Sequence, residues 1–359
     1  MARARHCIGF LPLIFAFVSA AAAAQAPAVD SPPAPPAGPP AATPAAPAAD
    51  PPPAPPAGQA AQLPADVSAE PVRPAPEELD LQTTDGVRLK AWYYGVPKDS
   101  APAATVILVH DLEGSHSSVE PLALALQELG FAVVAPDLRG HGASTSRVGQ
   151  KEPIEARKLK KNELEFIPQS AGGSVREQST VRGDIEAVRN WIKRKSDDGE
   201  LDIDRLCVVG SGAGAILAAM WTAADWSWQP IATGPQGRQV RAVVLVSPVW
   251  AMKGITISTA MANDALKQNI PLMVLGGGND RDAKRLFEFL QSKRPAGWFK
   301  QRPGQQPEKA AKLGKIADAS LVYIELDSTL SADKLATDAA ATVAGRIKTF
   351  LSLVIDRKR

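Results

Sequence analysis

The chain has 359 residues, a formal net charge of +2, 45% hydrophobic and 22% charged residues. That balance fits an ordinary globular protein and excludes a nucleic-acid binder that relies on a strongly basic surface. Of its two cysteines, Cys7 precedes an N-terminal apolar run and Cys207 lies inside a later one. The part of the chain after that first run therefore carries one thiol and no internal disulfide, and Cys207 reads as a buried structural residue.

Arg3, Arg5 and His6 stand before the apolar run Ile8 to Ala24, and the small residues Ala22 and Ala24 suit a signal peptidase. Residues 1–24 read as a secretory leader, with Gln25 as the new N-terminus and a secreted or periplasmic destination. The run is short for a membrane span, so membrane contact is expected only if the leader stays uncleaved. No cysteine follows it, which argues against lipoprotein processing. Residues 25–76 are dominated by Ala and Pro, and the heptamer PPAPPAG occurs at Pro32 to Gly38 and again at Pro52 to Gly58. Such a segment cannot build a core. It reads as a disordered, extended linker with a reach of about 3 Å per residue, either a spacer across envelope material or an inert low-complexity leader.

From Glu77 onward apolar runs alternate with helical periods. Leu79 to Thr84 and Val87 to Tyr94 flank Asp85-Gly86, a two-residue hairpin signal. Short, nearly all-apolar runs at Thr105 to His110, Ala132 to Pro136, Leu206 to Gly210, Val240 to Val246, Pro271 to Leu275 and Leu321 to Leu326 have the pattern of parallel strands buried on both faces. Between them, Ser117 and Ser118 offer an N-cap for a helix over Val119 to Leu129, which Gly130 stops. Val181 to Lys195 carries Ile185, Val188, Trp191 and Ile192 at helical spacing, with Trp191 facing the core. A last helix spans about Ala332 to Ile355, and the cations of Arg357, Lys358 and Arg359 suit its C-terminus. The fold class is α/β: a doubly wound, mostly parallel sheet with an antiparallel N-terminal hairpin, in one domain over 77–359. Residues 143–180 form a polar insertion with mixed charge, either a solvated surface or a lid over the loop end of the sheet.

Three segments carry chemistry: Val106 to Ser115 (VILVHDLEGS), Ala135 to Ser144 (APDLRGHGAS) and Asp204 to Ala215, which contains Val208-Val209-Gly210-Ser211-Gly212-Ala213-Gly214. Together they resemble the α/β-hydrolase superfamily, particularly its serine-aminopeptidase, lysophospholipase-like and dienelactone-hydrolase-like branches, over nearly all of Glu77 to Arg359. The first looks like the strand and oxyanion loop, the second like the D-x-R-G-H-G-x-S turn and the third like the nucleophile elbow. The resemblance implies a nucleophile, an acid and a histidine in that order along the chain.

Against that pattern the elbow's central position is Gly212. Gly277-Gly278-Asn279-Asp280 matches the acid turn, so Asp280 takes the acid position, vestigial without its partners. The loop Asp327 to Ser331, where the family places its histidine, has none, and no histidine follows His141. Serine is a poor nucleophile without an adjacent base, and an acid alone activates nothing. The backbone N–H groups of Leu112 and Ala213 remain as an oxyanion-type nook, but Asp111 stands where the family usually has glycine. A carboxylate beside a developing oxyanion opposes it unless it points away or is protonated. Two alternatives stay open: Ser211 as the nucleophile of a turn shifted by one residue, and a base or metal site gathered from His110, Asp111, Glu113, His116 and His141. The plainer reading makes His110 and His141 hydrogen-bonded structural residues and His116 exposed. Trp221, Trp226, Trp228, Trp250 and Met252 either line an apolar pocket or close the core.

The sequence thus suggests a secreted α/β-hydrolase-fold protein without hydrolytic activity, serving as a binding or scaffold domain in the cell envelope. The alternative is an esterase, lipase or peptidase-like serine hydrolase with a non-standard nucleophile and base. No cofactor, metal or nucleic acid is expected, and the partner is an unidentified small molecule or envelope protein. On this reading Gly212→Ser with Leu330→His is expected to rebuild a weak esterase.

Overall fold

In the computed structural model the described residues are 73–97, 101, 103–161, 163–164, 183–228, 237–304, 316 and 318–355. The leader, nearly all of the Ala/Pro segment, the later part of the polar insertion and the C-terminal cations lie outside them.

The centre of the molecule is a ten-stranded sheet. Its strands are β1 (Glu77–Gln82), β2 (Val87–Tyr94), β3 (Ala103–Val109), β4 (Ala132–Pro136), the two-residue β5 (Ser146–Arg147), β6 (Leu201–Ser211), β7 (Val240–Val246), β10 (Leu272–Gly277), β11 (Trp298–Gln301) and β12 (Leu321–Leu326). A separate two-stranded ribbon pairs β8 (Ala251–Met252) with β9 (Ile255–Thr256). The order is β1-β2-β4-β3-β6-β7-β10-β12-β11, with β5 paired to β2. β1, β2 and β5 pair antiparallel, as does β2 with β4, and the rest of the sheet is parallel.

The strands at the centre are apolar along most of their length because helices cover both faces. Side chains alternate along β3. Ile107 and Val109 join the layer of α2 (Asp184–Asp197), α3 (Gly214–Asp225) and α5 (Arg281–Gln291), as does the four-residue α4 (Ile257–Ala260). Val106 and Leu108 face the opposite layer of α1 (His116–Glu128), α6 (Ala332–Asp338) and α7 (Ala340–Val354). Cys207 is fully buried in that second layer, and burial pushes its thiol up to about 12, so it is an inert core residue. Trp191 is buried in the first layer, with its ring tilted against Tyr93 at 5.0 Å.

Several elements depart from the sequence pattern. The first helix starts at His116, capped by Ser115 in a reciprocal arrangement with Ser118, so Ser118 is the third helical residue and not the cap. β6 extends back to Leu201, beyond its apolar core, because Ala103 and Ala104 of β3 supply partners for Leu201 and Asp202. The single C-terminal helix is two: Ala339 leaves helical geometry (φ −111°, ψ 23°), and both pieces contribute to the same apolar layer. β11 is an edge strand that its short WFKQ run does not announce. In the described start of the insertion, Lys253 Nζ donates to the carbonyls of Ala156, Arg157 and Leu159 and so ties that stretch to the β8–β9 ribbon.

Candidate active site

The loop ends of β3, β6, β7, β10 and β12 converge, and the strand-to-helix turn after β6 lies at their centre. Gly212 there has φ +55°, and α3 follows from Gly214. Gly214 is required by close approach: a Cβ on it would fall against the His110 carbonyl oxygen and 2.8 Å from that of Val109. The turn therefore has an elbow's backbone, with a left-handed residue at its apex.

The apex is nevertheless filled. A Cβ on Gly212 would fall inside the carboxyl group of Asp111, 2.6 Å from Oδ2. Asp111 Oδ1 accepts from Leu112 N at 2.8 Å and from Ala213 N at 2.6 Å, the same two amides that form the oxyanion-type nook. The carboxylate thus neither points away nor leaves the donors open: it occupies the nook itself. Burial raises its pKa from the ordinary value, an effect that the two N–H donors oppose and the neighbouring Asp333 and Glu113 reinforce. Asp333, in the first turn of α6, accepts from the Asp111 amide through Oδ1 (3.0 Å) and Oδ2 (3.1 Å) and from Ser118 Oγ.

Asp280 sits where the acid is expected, after β10, but its carboxylate is engaged elsewhere. Oδ1 caps α5 by accepting from Ala283 N at 2.9 Å, and Oδ2 accepts from Ser247 Oγ. Burial raises its pKa, opposed by those donors. The loop after β12 passes close by, with Gly278 N donating to Ser328 O at 2.9 Å and Leu330 N to Ser328 Oγ at 3.1 Å. Ser211 is the last residue of β6, fully buried opposite Val246, and its hydroxyl has no hydrogen-bond partner among the described residues. No base reaches it.

The upstream histidines hold the framework. His110 accepts from Leu138 N through Nε2 (3.0 Å) and therefore carries its proton on Nδ1, which donates to Asp111 O at 2.6 Å. Burial lowers its pKa to about 4. His141 packs its ring edge-on to His110 and places Nδ1 3.0 Å from Arg139 O, while its buried Nε2 has no partner among the described residues. His116 is not exposed as the sequence suggests. It is part-buried, stacked on Trp92, with Nδ1 3.0 Å from Asp137 Oδ1, because Asp137 also accepts the His116 amide and draws the residue inward. Among the described residues no group of three or more His, Cys, Asp or Glu side chains is placed to hold a metal ion.

Beside the elbow lies a cavity of about 10 Å³, room for about one water. Leu112, Ala213, Gly214, His141, Leu217 and Met252 help to line it. Of the aromatic cluster after the elbow, none of the four tryptophans reaches it. Trp221 is fully buried and donates to Glu186 Oε2 at 3.0 Å, Trp226 donates to Val240 O at 3.0 Å, and Trp250 carries the Arg285 guanidinium 3.6 Å from its ring centre. Trp228 is half-buried. Packing accounts for most of this cluster, and Met252 alone of it borders the cavity.

The family model described as "Alpha/beta hydrolase family" matches residues 106–354. The chain belongs to that family. An uncharacterized protein of Mycobacterium tuberculosis strain H37Rv is 28% identical over 148 residues, a stretch covering 41% of this chain and 41% of that protein. Among solved structures, the Pf2001 esterase of Pyrococcus furiosus is similar at 14% identity, covering 78% of this chain and 91% of its own, with a TM-score of 0.48. A dienelactone hydrolase from Anabaena variabilis is similar at 15% identity, covering 78% and 98%, with a TM-score of 0.47. Within this alpha/beta hydrolase, two residues of the site escaped the reading by motif, Ser247 and Asp333. The available signal for Asp333 was an acid close behind a loop lacking its histidine, and for Ser247 a hydroxyl directly after a buried strand.

Proposed function

We propose that this alpha/beta hydrolase is a non-hydrolytic member of its family, secreted or periplasmic, and that it acts as a binding or scaffold domain in the cell envelope. One observation carries this reading: the Asp111 carboxylate accepts both amides of the nook and takes the space into which a residue-212 side chain would project. Acyl transfer needs a nucleophile with a base and donors open to the developing oxyanion. Here glycine stands at the apex, Asp280 is bound to Ser247 in place of an imidazole, and the donors already hold the Asp111 carboxyl group. With nucleophile and base both missing, what would remain is the modest rate gain from binding and donors alone, and the donors are in use. The ligand is an unidentified small molecule or envelope protein, held away from its anchor point by the Ala/Pro segment.

The test combines location with activity. The protein recovered from the envelope fraction is expected to begin at Gln25, to turn over short-chain p-nitrophenyl esters no faster than a heat-denatured control, and to resist labelling by a fluorophosphonate. Ester turnover that disappears in Ser211→Ala would establish the serine hydrolase instead.

A further inference from the structure

The geometry around Asp111 points to an autoinhibited site: Asp111 is a tethered ligand, Asp333 locks it, and a free monocarboxylate enters when the loop 111–115 releases. This inference rests on the non-hydrolytic reading and assigns that same site a ligand class and a control.

The tethered group defines the ligand chemistry. A single carboxylate oxygen receives two converging amides at 2.6 and 2.8 Å, short charge-assisted bonds of the kind a free carboxylate would also make. The amides belong to two different elements, the loop after β3 and the start of α3, so the recognition depends on the fold. A second polar group waits nearby. The cavity whose wall includes Leu112 and Ala213 also has His141 in its lining, buried and with Nε2 unpartnered among the described residues.

The lock is separate from the ligand. Asp333 holds the main chain of the loop by accepting from Asp111 N, and it reaches α1 by accepting from Ser118 Oγ. Thr337 Oγ1 donates to Ser118 O at 2.7 Å and adds a second tie between α6 and α1. The fit is close: a Cβ on Gly114 would lie 2.5 Å from Asp333 Oδ2. Both sides of the lock are strained. Glu113 in the loop and Ala332 just before Asp333 have left-handed φ values of +68° and +49°, which residues with a Cβ adopt only when their surroundings enforce it. Asp333 is also a second negative charge beside Asp111. The closed arrangement therefore rests on directed hydrogen bonds that work against strain and like-charge repulsion, and loss of one member favours release.

Tethering gives Asp111 a high effective concentration, so free carboxylate competes poorly in the wild type and well once the tethered group is gone. Acetate is titrated into the isotope-labelled full chain with chloride replaced to hold ionic strength, following the Leu112 and Ala213 amide resonances. Asp111→Gly is expected to show saturable shifts at both amides with an affinity at least about tenfold above wild type, and Asp333→Ala to fall between the two. Amides in Asp111→Gly that respond to acetate no more than wild type, or an Asp333→Ala response equal to wild type, would overturn the proposal. Should Asp111→Gly fail to fold, hydrogen exchange in wild type and Asp333→Asn decides. Selective acceleration at Leu112 and Ala213 supports the lock, and unchanged rates refute it. A negative result here leaves the non-hydrolytic reading standing, whereas Ser211-dependent ester turnover removes that reading whatever acetate does.

Discussion

Gly212→Ser is expected to lower the stability of the fold by about 3 kcal/mol and to confer no esterase activity. A serine Cβ at the apex would coincide with the Asp111 carboxyl group, so the carboxylate must leave the Leu112 and Ala213 amides. Losing those charged hydrogen bonds costs about 2 kcal/mol, and holding a residue with a Cβ at φ +55° costs about 1 kcal/mol more. In an Asp111→Gly background only the second cost remains. A double-mutant cycle in urea should therefore return a coupling of about 2 kcal/mol between positions 111 and 212. Additive effects within about 0.5 kcal/mol would mean that the carboxylate does not occupy the apex. The same geometry corrects the two-site restoration suggested by sequence: Gly212→Ser with Leu330→His still faces a carboxylate in the nook. Adding Asp111→Gly opens the donors, and measurable p-nitrophenyl acetate turnover is expected in the triple variant alone.

Glu186→Gln is expected to stabilise the protein by about 3 kcal/mol at pH 8 and by almost nothing at pH 4. Glu186 is buried in α2, and burial raises its pKa from 4.5 to about 7 despite the Arg189 charge and the hydrogen bond from Trp221. The unfolded chain releases this proton near pH 4.5, the folded chain near pH 7. Below the lower value the carboxyl is protonated in both states and costs nothing. Stability then falls as pH rises between the two, and the full penalty applies above pH 7. At about 1.4 kcal/mol per tenfold change in proton affinity, the penalty is about 3 kcal/mol. Glutamine still accepts from Trp221 Nε1 and carries no charge, so it removes the pH-dependent part. Urea unfolding of both proteins at pH 4, 6 and 8 checks it: a stability difference that stays constant with pH would show that Glu186 titrates normally.

The architecture was largely legible because parallel strands covered on both faces are apolar along most of their length. The runs at Ala132 to Pro136, Val240 to Val246 and Leu321 to Leu326 match their strands at both ends. That a hairpin turns at Gly86 was legible for a local reason, the positive φ its glycine supplies, here +84°, but its loop is longer than the two residues expected: β1 ends at Gln82, and Thr83 N donates to Val87 O and Gly86 N to Thr83 O around Thr84, Asp85 and Gly86. β11 was not legible, since WFKQ becomes a strand only by pairing with β12, and neither was the break at Ala339, where the run Ala339, Ala340 and Ala341 favours helix.

At the site, the sequence by itself determined which groups are present: glycine at the apex, an acid at 280, no histidine after His141, and a carboxylate at 111 in the oxyanion loop. Those are statements about composition at fixed places along one chain, and motif spacing is enough to make them. Where the Asp111 carboxylate lies was decided only by the tertiary structure. Asp111 meets Ala213 across 102 residues and Asp333 across 222, and no local pattern encodes contacts at that range. Directed hydrogen bonds form between whichever donors and acceptors the packed sheet brings within 3 Å of each other, and the crossing of β3, β6 and the segment after β12 is what brings these together.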